Sequence, residues 1–196
     1  GLKIHLTGDA NDYVGKSMAG GEIVLKTPRL FKEKSHNMVI MGNTCLYGAT
    51  GGKLFADGTV GERFAVRNSG AIAVIEGSGD HTCEYMTGGV IVVLGKTGNN
   101  FGAGMTGGLS FIYDEDSLFK NKINSQSVEI DKIMKKSLTK HQNYLLHLIK
   151  QHFKQTGSKK AGKIIKNFNK EMHKFLIIKP KASSFDDLLA LITSAA

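Results

Sequence analysis

Few residues in this sequence have the types and spacing that chemistry requires. The strongest group surrounds Cys83, with Asp80, His81 and Glu84 beside it. A thiolate next to an imidazole can act as a nucleophile, and both groups can bind a metal ion. However, no second Cys or His pair lies at metal-ligand spacing, and the other cysteine is Cys45. Two cysteines cannot build a disulfide framework, so we expect structural thiols and a reducing compartment.

Two glycine motifs could bind phosphate groups. Residues 102–107 spell G-x-G-x-x-G, which binds dinucleotides where a strand precedes it and a helix follows it. Here residues 108–113 have the pattern of a strand, and similar turns recur at four other places. Residues 15–17, Gly-Lys-Ser, lack the upstream glycine of a phosphate-binding loop. The sequence therefore predicts backbone corners at these glycines.

Histidine and lysine are frequent in the last third of the chain. His141, His147 and His152 recur at steps of six and five, which places no pair on one helical face as a metal site would need. The net charge of +9 could favour nucleic acid, but arginine is scarce and tryptophan is absent. We expect no nucleic-acid partner. We also predict no catalytic, cofactor-binding or metal-binding residue in this chain.

Composition divides the chain near residue 116. Of the 24 glycines, 22 lie in residues 1–116, which carry a net charge of −2, whereas residues 117–181 carry +13. We predict a Gly-rich β domain over residues 1–116 and a Lys-rich helical extension over residues 117–196 that packs on it. No apolar run approaches the ~20 residues of a membrane-spanning helix, so we expect no membrane contact. The chain shows no signal-peptide pattern and no initiator methionine, as expected for a fragment of a longer protein.

Short apolar strands recur through the first half of the chain. Seven of them begin at Lys3, Glu22, Met38, Lys53, Ile72, Val90 and Leu109, at steps of 15–19 residues. A period near 18 residues is too short for a strand–helix–strand crossover and favours a parallel β-helix. Glycine would supply positive φ at its corners, and Ile, Val, Leu and Met would stack inward in ladders. A meandering antiparallel barrel is the alternative.

The Lys-rich part has helical periodicity. A first helix is predicted from Leu138 to Phe153, with Gly157 as its stop and Ser158 as the next N-cap. The second helix would bury a face from Ala161 to Phe175. A last helix would follow a capping box at Ser184 and Asp187 and run through Ile192. These helices would cap one end of the β-helix, whereas the other end, at Gly1–Ile4, would stay uncovered.

At the level of motifs, the repeated turns GKSMAGG, YGATGG, CEYMTGG and GAGMTGG resemble the GXGXG-repeat domain at the C-terminal end of the glutamate synthase large subunit. The opening segment, residues 2–15, is similar to it as well. The tail segments around residues 152–158 and 175–182 resemble the helical end of the same subunit. The resemblance covers nearly the whole chain.

This resemblance implies a right-handed parallel β-helix of about seven turns with a helical extension. It implies a noncatalytic scaffold in a cytoplasmic oxidoreductase of nitrogen assimilation, which makes two glutamates from glutamine, 2-oxoglutarate and a reduced donor. The implied partners are the amidotransferase and FMN-binding domains of the same polypeptide, with the small subunit as a further candidate. FMN and an iron–sulfur cluster are expected in the parent enzyme, and no cofactor in this segment.

Two other functions remain open at this point. The first is a free-standing GXGXG-repeat subunit of a molybdenum or tungsten oxidoreductase such as formylmethanofuran dehydrogenase, although the glutamate-synthase-like tail argues against it. The second is an independent nucleotide-binding enzyme that uses residues 102–107. The sequence also leaves open the electron donor of the parent enzyme and the oligomeric state.

Overall fold

The first part of the chain forms a β-solenoid. The computed structural model describes residues 1–194, apart from the side chains of residues 32–34 and 192–194. Its strands are β1 (Lys3–Thr7), β2 (Ala19–Lys26), β3 (Val39–Met41), β4 (Gly51–Val60), β5 (Ser69–Ser78), β6 (Thr87–Val93) and β7 (Gly107–Tyr113). Six of them, β1, β2, β4, β5, β6 and β7, pair in parallel in that order. The predicted parallel β-helix is therefore confirmed, and the antiparallel barrel is excluded as the arrangement of these strands.

The number of turns is about six rather than the expected seven. All seven predicted strands exist, but the one at Met38 does not begin a turn of its own. It is β3, which pairs with the last residues of β4 while β2 pairs with the first ones. A 3-10 segment, Arg29–Asn37, separates β2 from β3. Because of this insertion, β2 and β3 together occupy one turn.

Alternate strand residues form two buried ladders. The inner ladder consists of Leu25, Ala56, Ile75, Val93 and Ile112. The outer ladder consists of Val24, Phe55, Val74, Val92 and Phe111. The inner ladder fills the solenoid, whereas the outer one packs against the helices of the tail. All ten side chains are at most 1% exposed, which explains why the strands are apolar at consecutive positions.

The tail closes one end of the solenoid with strands rather than with helices. Strand β9 (Phe175–Pro180) pairs antiparallel with β7, and β8 (Val128–Lys132) pairs antiparallel with β9. The predicted second helix is interrupted at Asn167 and continues as the short helical segments Phe168–Glu171 and Met172–Lys174, but the prediction is wrong at Phe175, which begins β9. The free edge of β7 presents backbone donors and acceptors that a strand satisfies and a helix cannot.

Four helices complete the tail. They are α1 (Thr139–Thr156), α2 (Lys159–Lys166), α3 (Phe168–Glu171) and α4 (Phe185–Ser194). As predicted, Gly157 ends α1 with a φ of 70°, and the Ser158 hydroxyl caps α2 by accepting from the Ala161 N–H at 2.9 Å. The Ser184 hydroxyl likewise accepts from the Asp187 N–H at 3.2 Å. Ile192 lies outside the described side chains.

The predicted core face of α1 is correct except at its end. Leu145, Leu148 and Ile149 pack on the outer ladder, but Phe153 is 44% exposed. Within residues 1–194, no helix is both long and apolar enough to cross a membrane.

Candidate functional site

The sharp corner of each turn is an arc in which every second residue has a left-handed conformation. These positions are residues 13, 15 and 17; 44, 46 and 48; 63, 65 and 67; 81, 83 and 85; and 100, 102 and 104. Their φ values lie between 54° and 70°, and eleven of the fifteen residues are not glycine. The expectation that glycine supplies the corners is therefore only partly correct.

Backbone hydrogen bonds explain this alternation. The N–H of Thr44 donates to Glu62 O in the next turn at 2.8 Å, whereas that of Leu46 donates to Val14 O in the preceding turn at 2.8 Å. The N–H of Gly48 points forward again, to Val66 O at 2.9 Å. The alternating φ values thus direct N–H groups alternately to the next turn and to the preceding turn. Each arc is therefore hydrogen-bonded to the arcs on both sides of it.

The glycines of residues 102–107 belong to such a corner. The segment leads into β7, which begins at Gly107, so it lacks the helix N-terminus on which a pyrophosphate would lie. A Cβ at Gly102 would lie 2.9 Å from the Val128 side chain, and one at Gly104 would collide with the Tyr85 ring. The space that these glycines leave open is filled by protein side chains.

The structure separates Cys83 from the rest of its group, whereas His81 Nδ1 and Glu84 Oε1 stay 3.9 Å apart. Cys83 lies in the solenoid interior with Sγ 3.6 Å from Ser110 Oγ, and burial raises its pKa to about 12. The His81 ring is partly exposed, and its Nδ1 lies 3.0 Å from Asn100 Nδ2. Burial also raises the pKa of Cys45, to about 11. Both thiols are protonated near neutral pH, which makes them poor nucleophiles and poor metal ligands.

The three tail histidines also have separate surroundings. His141 Nε2 lies 3.0 Å from Phe185 O and ties α1 to the last helix, whereas His147 pairs with Gln151. His152 is fully buried beside Glu76. Over the described part of the chain, no three His, Cys, Asp or Glu side chains are grouped so as to hold a metal ion.

A ladder of side-chain acceptors along the corners was missed by the sequence analysis. Asp12 Oδ1 accepts from Asn43 N–H at 2.7 Å, and Asn43 Oδ1 accepts from Glu62 N–H at 2.8 Å. Asp80 Oδ1 accepts from Asn99 N–H at 2.6 Å in the same way. The signal was present in the sequence, because an acid or amide follows glycine at residues 42–43, 61–62, 79–80 and 98–99.

A buried polar cluster joins the solenoid to the tail. Glu76 on β5 is 1% exposed, and its Oε1 accepts from the Ser158 hydroxyl at the start of α2. The same oxygen lies 3.5 Å from His152 Nε2 at the end of α1. Sequence analysis singled out His152 and Ser158 separately and missed Glu76, although a carboxylate inside the apolar strand IAVIEGS was a usable signal.

The end of the solenoid at β1 is uncovered. Leu2, Ile4 and Leu6 are 73%, 45% and 38% exposed. Ile4 and Leu6 occupy the same ladder positions as Ile23 and Leu25, of which Leu25 is 1% exposed. Within the described chain, the outer edge of β1 pairs with no other strand. This end combines apolar side chains with free backbone donors and acceptors, which are features of a docking surface.

Comparison with known proteins identifies the family. A family model described as GXGXG motif matches residues 1–181. The chain belongs to the GXGXG motif family. Among curated relatives, the ferredoxin-dependent glutamate synthase of Antithamnion sp. is 50% identical over 98% of this GXGXG chain, and that of Pyropia yezoensis is 52% identical over 95%. The NADH glutamate synthase of Schizosaccharomyces pombe is 46% identical over 92%.

This GXGXG chain corresponds to a small part of those relatives. It spans 12% of the length of the two ferredoxin-dependent enzymes and 8% of the NADH enzyme. The iron–sulfur cluster implied for the parent enzyme does not fit the thiols of this chain. An all-cysteine iron–sulfur cluster takes four thiolates, and this sequence has two cysteines, both buried. The glycine corner at residues 102–107 offers no helix N-terminus to the phosphate of FMN.

Proposed function

We propose that this chain is a noncatalytic scaffold domain of a glutamate synthase. It would hold the amidotransferase domain and the FMN and iron–sulfur synthase domain in a fixed geometry. Its similarity to segments of ferredoxin- and NADH-dependent glutamate synthases supports this parent over a molybdenum or tungsten oxidoreductase. The parent reaction converts glutamine, 2-oxoglutarate and a reduced donor to two glutamates, with both cofactors in the other domains. We propose a cytoplasmic parent, although some relatives are named chloroplastic.

The difference between the two ends of the solenoid carries this proposal. One end is closed by β9 and β8, whereas the β1 end exposes Leu2, Ile4 and Leu6. Other domains of the same polypeptide are the proposed occupants of the β1 end, since this chain matches only 8–12% of its relatives' length. The small subunit of the enzyme is a further candidate partner.

The stacked architecture suits a spacer. Each turn is hydrogen-bonded to the next along both its strand and its arc, so the distance between the two ends is set by a fixed number of turns. Two catalytic domains that pass ammonia between them require such a constant separation.

The β1 end can be tested in the full-length parent enzyme. The double substitution Ile4→Asp and Leu6→Asp places charge on the docking surface at two positions that are 45% and 38% exposed. We expect glutamine hydrolysis and ammonia-dependent reduction to be retained within about twofold. Glutamine-dependent synthesis should fall about tenfold or more, with release of free ammonia, because small displacements of reacting partners have large kinetic costs.

The matched control is Leu30→Asp, since Leu30 is 92% exposed on the insertion between β2 and β3. This control should leave glutamine-dependent synthesis unchanged, with no release of free ammonia. Loss of ammonia-dependent reduction in a folded double variant would overturn a noncatalytic role. Unchanged coupling in the double variant would overturn the placement of the interface at β1.

A further inference from the structure

Besides the exposed β1 end, the surface has a second feature, which lies where the solenoid and the tail meet. It is a cavity of about 470 Å³ at the ends of strands β4, β5 and β6, closed by the first turn of α2 and the loop after β7. Its polar walls include Glu76, Ser78, Thr97, Lys122 and Lys160. A volume of this size is within the range of small-molecule sites.

The deep wall carries acceptors that lack partners. Glu76 Oε1 is occupied by the Ser158 hydroxyl, but Oε2 is buried and has no hydrogen-bond partner among the described residues. The buried Thr97 hydroxyl also has no hydrogen-bond partner among the described residues. A buried carboxylate oxygen without a donor is costly, so this wall favours a ligand group that carries N–H bonds and positive charge.

The α2 wall carries a cation, Lys160, whose neighbours are the Glu115 carboxylate and the Tyr113 ring, with its Nζ 5.6 Å from the ring centroid. Lys160 Nζ lies 3.8 Å from Glu115 Oε2, on a carboxylate side chain that is 64% exposed. Burial lowers the pKa of Lys160, because the buried ammonium loses part of its hydration. Gly95 leaves room for it, since a Cβ there would lie 3.1 Å from Nζ. This wall favours an anionic ligand group.

The two walls together select the ligand. The lining contains Lys96, Lys122 and Lys160 as cations and Glu76, Asp114, Glu115 and Asp116 as anions. This mixture disfavours a strongly anionic ligand such as phosphate, and a simple amine would use the acceptors of the deep wall but make no contact of opposite charge with Lys160. We propose that the cavity binds a small zwitterion of the α-amino acid class, with its ammonium on Glu76 Oε2 and Thr97 and its carboxylate on Lys160. This site is independent of the scaffold role, which concerns the β1 end.

Calorimetric titration of the full 196-residue chain with the twenty standard L-α-amino acids tests the ligand class. We expect at least one to bind with a Kd below about 1 mM. Its decarboxylated and deaminated analogues should each bind about tenfold more weakly or worse, because each lacks one charged partner. The proposal is overturned if no amino acid binds with a Kd below about 1 mM, as for a cavity that holds only water, or if either analogue binds as tightly as the zwitterion.

Substitutions test the assigned contacts. Lys160→Gln and Thr97→Val should each weaken binding of the tightest amino acid, the first by about tenfold. Glu76→Gln should do the same, with its melting temperature measured in parallel because Glu76 also anchors Ser158. The control is Lys163→Gln, which removes the same charge from an exposed position of the same helix and should change affinity by less than about twofold. Equal losses in Lys160→Gln and Lys163→Gln would overturn the site.

Discussion

At the scale of single residues, the arcs are the most demanding feature of the molecule. Leu46, Ala65 and Cys83 are buried non-glycine residues with φ values of 57°, 58° and 60°. Left-handed backbone costs an L-residue about 1–2 kcal/mol. The cost is offset because each arc satisfies N–H groups in both directions along the stack, where a regular strand corner would leave them unpaired.

The cost of these conformations can be measured at the third arc position. Gly48 has a φ of 62° and open space where a Cβ would stand, so Gly48→Ala probes backbone strain alone. We expect it to lower the free energy of unfolding by about 1 kcal/mol. Ser17 has the same arc position, a φ of 56° and an exposed side chain, so Ser17→Gly should leave stability unchanged or raise it slightly. Urea unfolding measures both, and equal losses would contradict the strain argument.

At the scale of elements, the stacking of turns depends on close backbone contact. A Cβ at the first or second residue of four strands would press on a carbonyl oxygen of the preceding turn, and all four positions are glycine: Gly51, Gly70, Gly88 and Gly107. Sequence analysis predicted turns at these glycines, but it assigned their role to positive φ. In the structure these four glycines let the backbones of neighbouring turns approach closely. The positive φ belongs instead to the next residue in three of the four cases, namely Gly52, Gly89 and Gly108.

The chain contains an internal control for this contact. Gly20 occupies the same repeat position as Gly107, but at the β1 end a Cβ on Gly20 would meet nothing within 4 Å. A Cβ on Gly107 would collide with Thr87 O. We expect Gly107→Ala to lower stability by about 1–3 kcal/mol through overpacking and Gly20→Ala to be nearly neutral. Thermal melting of the two variants checks this, and similar losses in both would argue against close stacking as the cause.

At the scale of the whole molecule, two cores are built on the two faces of one sheet. The inner core fills the solenoid, and the outer core lies between the strands β2, β4–β7 and β9 and the helices α1, α2 and α4. The buried cluster of Glu76, His152 and Ser158 links the two parts across the outer face. The tail is therefore an integral cover of the solenoid rather than an appended helical segment.

Burial of thiols and phenols on this scale predicts a loss of stability at alkaline pH. The pKa is raised to about 11 for Cys45 and about 12 for Cys83, from 9.0, and to about 12 for Tyr113 and Tyr144, from 10.0, with burial as the first cause. Because the folded pKa values are higher, the unfolded chain loses these protons first. Stability should be full below pH 9 and fall as the pH rises towards 12.

Urea midpoints between pH 8 and pH 11 test this dependence. Lys160 has a lowered pKa and acts in the opposite sense, but it is a single group. The double variant Cys45→Ser and Cys83→Ser should show a shallower decline with pH, because two of the shifted groups are removed. A midpoint that stays constant from pH 9 to pH 11 would show that these groups do not titrate differently in the folded and unfolded chain.

The sequence by itself determined the repeat. Glycine turns and apolar strands at a period near 18 residues favour stacking, so the parallel β-helix was predicted ahead of an antiparallel barrel, and the caps at Gly157, Ser158 and Ser184 were predicted as well. These signals are local, and each lies within one turn or one helix end.

Only the tertiary structure decided how distant segments meet. Phe175 continued a helical pattern, yet it lies in β9 because the free edge of β7 requires a strand partner. Met38 matched the repeat, yet β3 completes the turn of β2 because the insertion places it beside the end of β4. Glu76 and Lys160 are 84 residues apart in the sequence and line one cavity. Local periodicity cannot encode these choices, since each depends on which backbone edges and charges the rest of the fold leaves without partners.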